Sequence, residues 1–155
     1  MMTENTQFCT FYLGDLFFGV KVENVQEVFR YQEMTRVPLA PSEVRGLINL
    51  RGQIITAIDL RARLGMEELP EGQMPMNVVV RTNEGVVSLL VDEIADVLEV
   101  SEDAFERPPD TIDEITRKLV QGVYKLENKL LLILDTEKTV NMGEEVSSAK
   151  MVAEV

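Results

Sequence analysis

Apolar positions along the chain fall in short runs broken by glycine, proline and small polar clusters, the pattern of a protein built from many brief strands. QFCTFYL (7–13) meets a Gly14-Asp15 turn and continues as LFFGVKV (16–22), which predicts a hairpin. In the following VENVQEVF, Val22, Val25 and Phe29 fall at helical spacing and predict a short helix or helical turn. MTRVP is expected to run extended up to Pro38, because a residue before proline avoids the helical region. VRGLINL and QIITAID are apolar runs joined by Arg51-Gly52, a two-residue hairpin loop in which the glycine supplies a positive φ. Asp59 is placed to cap the helix LRARL, with Leu60 and Leu64 on one face and Gly65 at its end. MEELPEGQMP (66–75) is a polar, proline-bearing connection.

The second half repeats this plan. VRGLINLRGQIITAIDL (44–60) aligns without gaps with VQGVYKLENKLLLILDT (120–136) at a shift of 76. Gly46 then meets Gly122, Leu50 meets Leu126, Gly52 meets Asn128 and Asp59 meets Asp135. Asn, like Gly, tolerates a left-handed turn position, and both aspartates sit where a strand becomes a helix. FFGVKVENVQEV (17–28) parallels VVSLLVDEIADV (86–97) at a shift of 69. The difference between the shifts predicts a longer loop in the second half, within SEDAFERPPDTIDEITRK. Closing each small set of strands on itself removes exposed edges, so the fold expected is mainly β: two similar five-stranded β-barrels packed together, with short helices. The expected boundaries are a first subdomain at about 7–66, with 135–140 packing back on it, and a second at about 76–134. Residues 141–155 are expected to be a flexible tail.

Charge and composition narrow the chemistry. The net charge of −12, with no cluster of Lys and Arg, excludes a nucleic-acid backbone as partner and disfavours an anionic membrane surface. No apolar run is long enough to span a bilayer, and MMTENTQ lacks the pattern of a secretory signal. Cys9 is the single cysteine, so no internal disulfide can form, and the chain reads as cytoplasmic. The absence of histidine removes Ser-His-Asp and Cys-His catalysis, histidine-ligated metals and phosphoryl relay through the chain's own histidine. GLINLRG lacks the lysine and form of a phosphate loop. Asp92, Glu93, Asp96, Glu99, Glu102 and Asp103 leave a carboxylate-dependent hydrolase as a formal alternative, though such acids are ordinarily solvated. No catalysis, cofactor or metal is expected.

GLINLRGQIITAIDLRARLG, preceded by VQEVFRYQEMTRVPLAP, resembles the most diagnostic region of the CheW family of chemotaxis adaptors. The matching residues are Val25, Glu27, Val28, Val37-Pro38, Gly46, Asn49-Leu50-Arg51-Gly52 and Asp59-Leu60. GVVSLLVDEIADVLEV and LVQGVYKLENKLLLILDTEKTV fit the same family, so the likeness covers about 7–140 as a single CheW-like domain. Thr56-Ala57 departs from the family, where many members carry a proline.

The resemblance implies two SH3-like five-stranded barrels. It also implies a non-catalytic adaptor located at membrane-associated receptor arrays. Its partners would be the cytoplasmic tip of a methyl-accepting chemoreceptor and the regulatory SH3-like domain of the sensor histidine kinase CheA. A CheW-like adaptor of another motility or gene-regulation pathway fits the same residues. The receptor-contact positions carried over are Val25, Glu27, Gly46 and Arg51, with kinase-contact residues unassigned. A Glu27–Arg51 ion pair would fix the helical turn against the hairpin loop, although Val25 equally suits a core position and the pair an ordinary surface bridge. At the repeat-equivalent places Glu27 becomes Asp96 and Arg51 becomes Glu127, two acids that cannot pair, so the fold itself does not require the bridge.

Overall fold

The computed structural model describes residues 5–141, so of the tail expected to be flexible only Asn141 is among them. The first hairpin is β1 (Asn5–Leu13) and β2 (Leu16–Lys21), followed by a single 3-10 turn at Val22–Asn24 and strand β3 (Val25–Phe29). The expected helix in this stretch is thus confined to that turn. From Val25 onward the backbone satisfies its hydrogen bonds by pairing rather than by coiling, which suits its β-branched residues.

Next come β4 (Val44–Leu50), β5 (Gln53–Asp59) and α1 (Leu60–Arg63). Arg51 and Gly52 both take positive φ, +53° and +88°, as a two-residue type I′ turn demands, and the Asn49 side chain accepts from the Gly52 N–H at 2.9 Å. Asp59 caps α1 by accepting from the Ala62 N–H at 3.2 Å.

The second half supplies β6 (Met76–Thr82), β7 (Gly85–Val91), β8 (Glu93–Ser101), a 3-10 turn at Glu102–Ala104 and the two-residue β9 (Phe105–Glu106). It closes with α2 (Glu114–Leu119), β10 (Val120–Lys125), β11 (Leu130–Leu134) and α3 (Thr136–Val140). The stretch expected to be a long loop therefore contains a helix, capped by Asp113, whose side chain accepts from the Thr116 N–H at 3.1 Å. Pro108 and Pro109 lie ahead of that cap and do not interrupt it. The β10–β11 turn also differs from expectation. Four residues, Leu126 to Lys129, make the loop, and Asn128 does not enter the left-handed region because the wider turn does not require it.

Two sheets result, ordered β8-β1-β2-β11-β10-β9 and β3-β6-β7-β5-β4. Five strands stand in one, and β9 makes six in the other. The sheets do not follow the expected division at 66–76. Each repeat contributes its first hairpin to the other repeat's sheet: β2 runs parallel to β11 with Phe18 opposite Leu132, and β7 runs parallel to β5 with Val87 opposite Thr56. Phe18 and Val87 are repeat equivalents, as are Leu132 and Thr56, so the exchange is reciprocal and in register. Because equivalent strands carry equivalent apolar faces, either partner buries them, and alternation along the sequence does not reveal which is chosen.

Three cores follow. The largest is shared by both sheets and includes Phe11, Phe18 and Leu132 from one and Val78, Val80 and Leu89 from the other. A second lies within the curl of the six-stranded sheet, around Phe8, Phe17 and Tyr124, and a third within the five-stranded sheet, around Ile48, Ala57 and Leu90. Val140 of α3 joins the shared core, and Arg63 of α1 donates to the carbonyls of Thr139 and Lys138 at 3.0 and 3.2 Å.

Candidate functional site

Of the four residues singled out by sequence, two meet. Glu27 lies on β3, one edge of the five-stranded sheet, and Arg51 lies in the turn leaving β4, the other edge. Arg51 donates to Glu27 and forms an ion pair with it, so the side chains tie the two edges of the curled sheet together. The Arg51 side chain is 70% exposed and that of Glu27 27%, which leaves the guanidinium facing solvent while its partner is half covered. The hydrogen bond that Arg51 donates to Glu27, reinforced by the carboxylate's charge, raises the Arg51 guanidinium above its ordinary value, so it stays protonated.

Val25 and Gly46 play other parts. Val25 is half-buried at the margin of the shared core, opposite Val80 on β6. Gly46 is buried on β4 beneath the segment that follows β3. Thr35 exchanges backbone hydrogen bonds with Leu47 at 2.9 and 2.7 Å, and a Cβ on residue 46 would stand 2.6 Å from the Thr35 carbonyl oxygen. Any larger residue displaces that crossing segment. Gly122 does the same for β9, where a Cβ would meet the Glu106 carbonyl oxygen at 2.6 Å. The glycine is thus part of the repeated plan, whereas the ion pair is not.

The structure adds two exposed apolar residues to this region of the sheet. Val28 on β3 is 43% exposed, and its repeat equivalent Val97 on β8 is 55% exposed. Ile54, three residues after Arg51, is 60% exposed, since pairing with β7 starts only at Thr56. Reading QIITAID as one apolar run concealed Ile54; its outward place follows from where the neighbouring strand begins.

Of the acids that kept a hydrolase open, Asp92 has a structural role. Asp92, between β7 and β8, takes a forked pair of bonds from Arg61 of α1 at 2.7 and 2.5 Å and a third from the Gly14 N–H at 2.7 Å. Burial alone would push the Asp92 carboxyl up, but the Arg61 guanidinium and the Gly14 amide together hold it below the usual carboxylate range. It is a tie between the repeats. Among the described residues no group of acids and cysteine is arranged to hold a metal ion. The Cys9 thiol is pushed up by burial, which disfavours the reactive thiolate.

Comparison with known proteins agrees with this geometry. A model of the CheW-like domain matches residues 7–144. The chain is 30% identical over 145 residues to the chemotaxis protein CheW of Treponema pallidum, covering 91% of this chain and 85% of that one. It is 31% identical over 131 residues to the chemotaxis protein CheW of Rhizobium meliloti, covering 84% of each. The crystal structure of the scaffolding protein TtCheW from Thermoanaerobacter tengcongensis matches with a TM-score of 0.80 at 26% identity, over 90% of this chain and 95% of that one. With the paired sheets, the NLRG turn and the family match all covering the same residues, the chain belongs to the CheW-like domain family of non-catalytic chemotaxis adaptors.

Proposed function

We propose that this adaptor grips the cytoplasmic tip of a methyl-accepting chemoreceptor through the surface around Glu27 and Arg51, and joins the regulatory SH3-like domain of the kinase CheA through a separate surface. The observation that carries this is the asymmetry of the repeat. The fold builds an equivalent hairpin twice: one carries Arg51 at its two-residue turn, paired with Glu27, and the other carries Glu127 in a four-residue turn, with Asp96 as the repeat equivalent of Glu27. A feature the architecture does not need is a candidate for recognition. An amphipathic helical hairpin offers apolar side chains with a few charges to set register, and the exposed Val28 beside the charged pair is suited to receive it.

Signalling then works by differential contact: a change in the receptor alters which kinase arrangement the adaptor favours, with no chemistry of its own. No helix among the described residues is long and apolar enough to cross a membrane, so the reading has the adaptor working in the cytoplasm, reaching receptor arrays through its protein partners.

The test is Arg51→Glu. Receptor-dependent control of the kinase should be lost, and affinity for a receptor-tip fragment should fall on the order of tenfold or more. The double charge swap Glu27→Arg with Arg51→Glu should fail to restore binding, since the half-covered Glu27 faces the incoming helix itself. Unchanged receptor affinity in the Arg51→Glu protein sinks the assignment of this surface.

A further inference from the structure

The edge strand β3 and its repeat equivalent β8 end differently. Phe29 stands opposite Asn77 as Leu98 stands opposite Phe8, the same rung of the two ladders. Beyond that rung β8 goes on pairing with β1 as far as Ser101, opposite Asn5, whereas β3 stops at Phe29. Side chains of β6 take over where the ladder is missing. Asn77 donates through Nδ2 to the Arg30 carbonyl at 3.1 Å, one residue past the last pair. Arg81 donates to the Glu23 carbonyl at 3.1 Å, two residues ahead of the strand. β3 is thus pinned beyond both ends from one neighbour.

The pin at Arg30 is itself oriented. Asn77 and Ser88 are both fully buried. Ser88 donates to Asn77 Oδ1 at 2.8 Å, which turns the amide so that its nitrogen faces Arg30. Their repeat equivalents are Phe8 and Gly19, which bring no polar side chain to the matching place, so the shared plan does not require an amide here. Burying polar side chains costs stability unless their bonds are made, and those made here hold a carbonyl that a phenylalanine would leave free. The strand held in this way carries Glu27 and Val28, and Arg30 follows Val28 by two residues.

We infer that Asn77, oriented by Ser88, is a positioning residue for receptor binding: by holding the Arg30 carbonyl it sets the end of β3, and with it the direction in which Val28 and Glu27 meet the incoming helix. The inference rests on the receptor surface proposed above. Being buried, Asn77 does not meet a partner itself, so it acts by preorganising the strand that does. A strand end free to leave β6 presents the surface only part of the time, and the apparent Kd rises by the reciprocal of that fraction.

The test measures association and dissociation of a receptor-tip fragment, with amide hydrogen exchange in the free protein, for the unaltered chain and four variants. Asn77→Phe/Ser88→Gly installs the other sheet's pair, and Ser88→Ala removes only the orienting bond. Phe8→Leu disturbs the equivalent place in the six-stranded sheet, and Arg51→Glu reports on the receptor surface itself. If the freed strand end is correctly placed about one fifth of the time, Asn77→Phe/Ser88→Gly should bind about fivefold more weakly. The loss should lie in slower association with dissociation unchanged, and exchange at residues 28–31 should quicken. Ser88→Ala should show the same pattern at about twofold, which keeps the test decisive should the double variant fail to fold. Phe8→Leu should leave both rates as they are. Unchanged association in both Asn77→Phe/Ser88→Gly and Ser88→Ala, with Arg51→Glu impaired, would overturn the inference alone. Equal slowing in Phe8→Leu would overturn it too, by tracing the effect to general destabilisation. Unchanged binding in Arg51→Glu would instead reject the receptor surface, and the inference with it.

Discussion

Phe8 and Asn77 occupy the same place in the two sheets, and Gly19 and Ser88 form the second half of that equivalence. In the six-stranded sheet Phe8 packs against Tyr124 with ring centroids 5.7 Å apart, and Gly19 makes room, since a Cβ there would stand 3.1 Å from Leu131 and 3.2 Å from Phe8. In the five-stranded sheet the same space holds a buried polar pair. Ser88 donates to Asn77 at 2.8 Å, and Asn77 donates to the Arg30 carbonyl at 3.1 Å. Tyr124 and Ile133 are likewise matched by the smaller Ile48 and Ala57. One sheet is filled by dispersion contacts; the other has a thinner core and is tied by directed bonds, from Asn77 to the chain leaving β3 and from Arg51 to Glu27. Directed bonds fix orientation where they are made. The sheet that relies on them is the one that presents a defined charged surface.

The largest effect should come from cutting the chain within 66–75. Each half would lack strands that complete its sheets, because the first hairpins are exchanged, so separate 1–70 and 71–155 fragments should be unfolded by circular dichroism and amide dispersion. Two independently melting halves would refute the reciprocal exchange. Next in size, Phe8→Ala should cost about 3–5 kcal/mol by opening a cavity in the aromatic core. Asn77→Ala should cost less, about 1–3 kcal/mol, mainly by leaving the Arg30 carbonyl without its partner. Equal losses in urea denaturation would mean that the two interiors are not built on different principles.

The Arg61–Asp92 tie predicts a pH effect. Its folded carboxyl lies below the ordinary value of 3.8, so it stabilises the fold above that pH, and the stabilisation fades as pH falls through the depressed folded value. Arg61→Gln should lower stability at neutral pH by about 1–3 kcal/mol and flatten the melting-temperature profile below about pH 4. A profile as steep as that of the unaltered protein would show that other carboxylates govern acid unfolding. The smallest effect is expected from Glu127→Arg, at the turn equivalent to Arg51. Folding and receptor affinity should both stay near those of the unaltered chain, in contrast to Arg51→Glu. Equal damage at both turns would show that recognition does not distinguish the repeats.

Much of this was legible in the sequence, and the exceptions have physical causes. Hairpin turns and the caps Asp59 and Asp135 depend on neighbours within a few residues, and the structure has them where the pattern puts them. Glu27 and Arg51 were also found together, because both belong to short motifs. β3 was misread because Val22, Val25 and Phe29 keep helical spacing while pairing with the distant β6 decides the backbone. The roles of Val25 at the core margin and Gly46 beneath Thr35 likewise rest on segments that meet only in three dimensions.

The exchange of hairpins also orders events in time. The five-stranded sheet draws all its strands from one continuous stretch, Val25 to Val91, whereas β1 and β2 must wait for β8 and β11, with Phe17 finally opposite Leu131. During synthesis β1 and β2 therefore leave the ribosome well before the strands that flank them, β8 and β11. The aromatic-rich hairpin stays uncovered on that side until β11 is made. In ribosome-bound chains stalled after residue 130, the β6–β7 amides should already be protected and those of β2 still open on the side that β11 covers; early protection of β2 there would argue against this order. A protein whose task is to hold others together would thus have a first hairpin that waits on its last described strand to be secured.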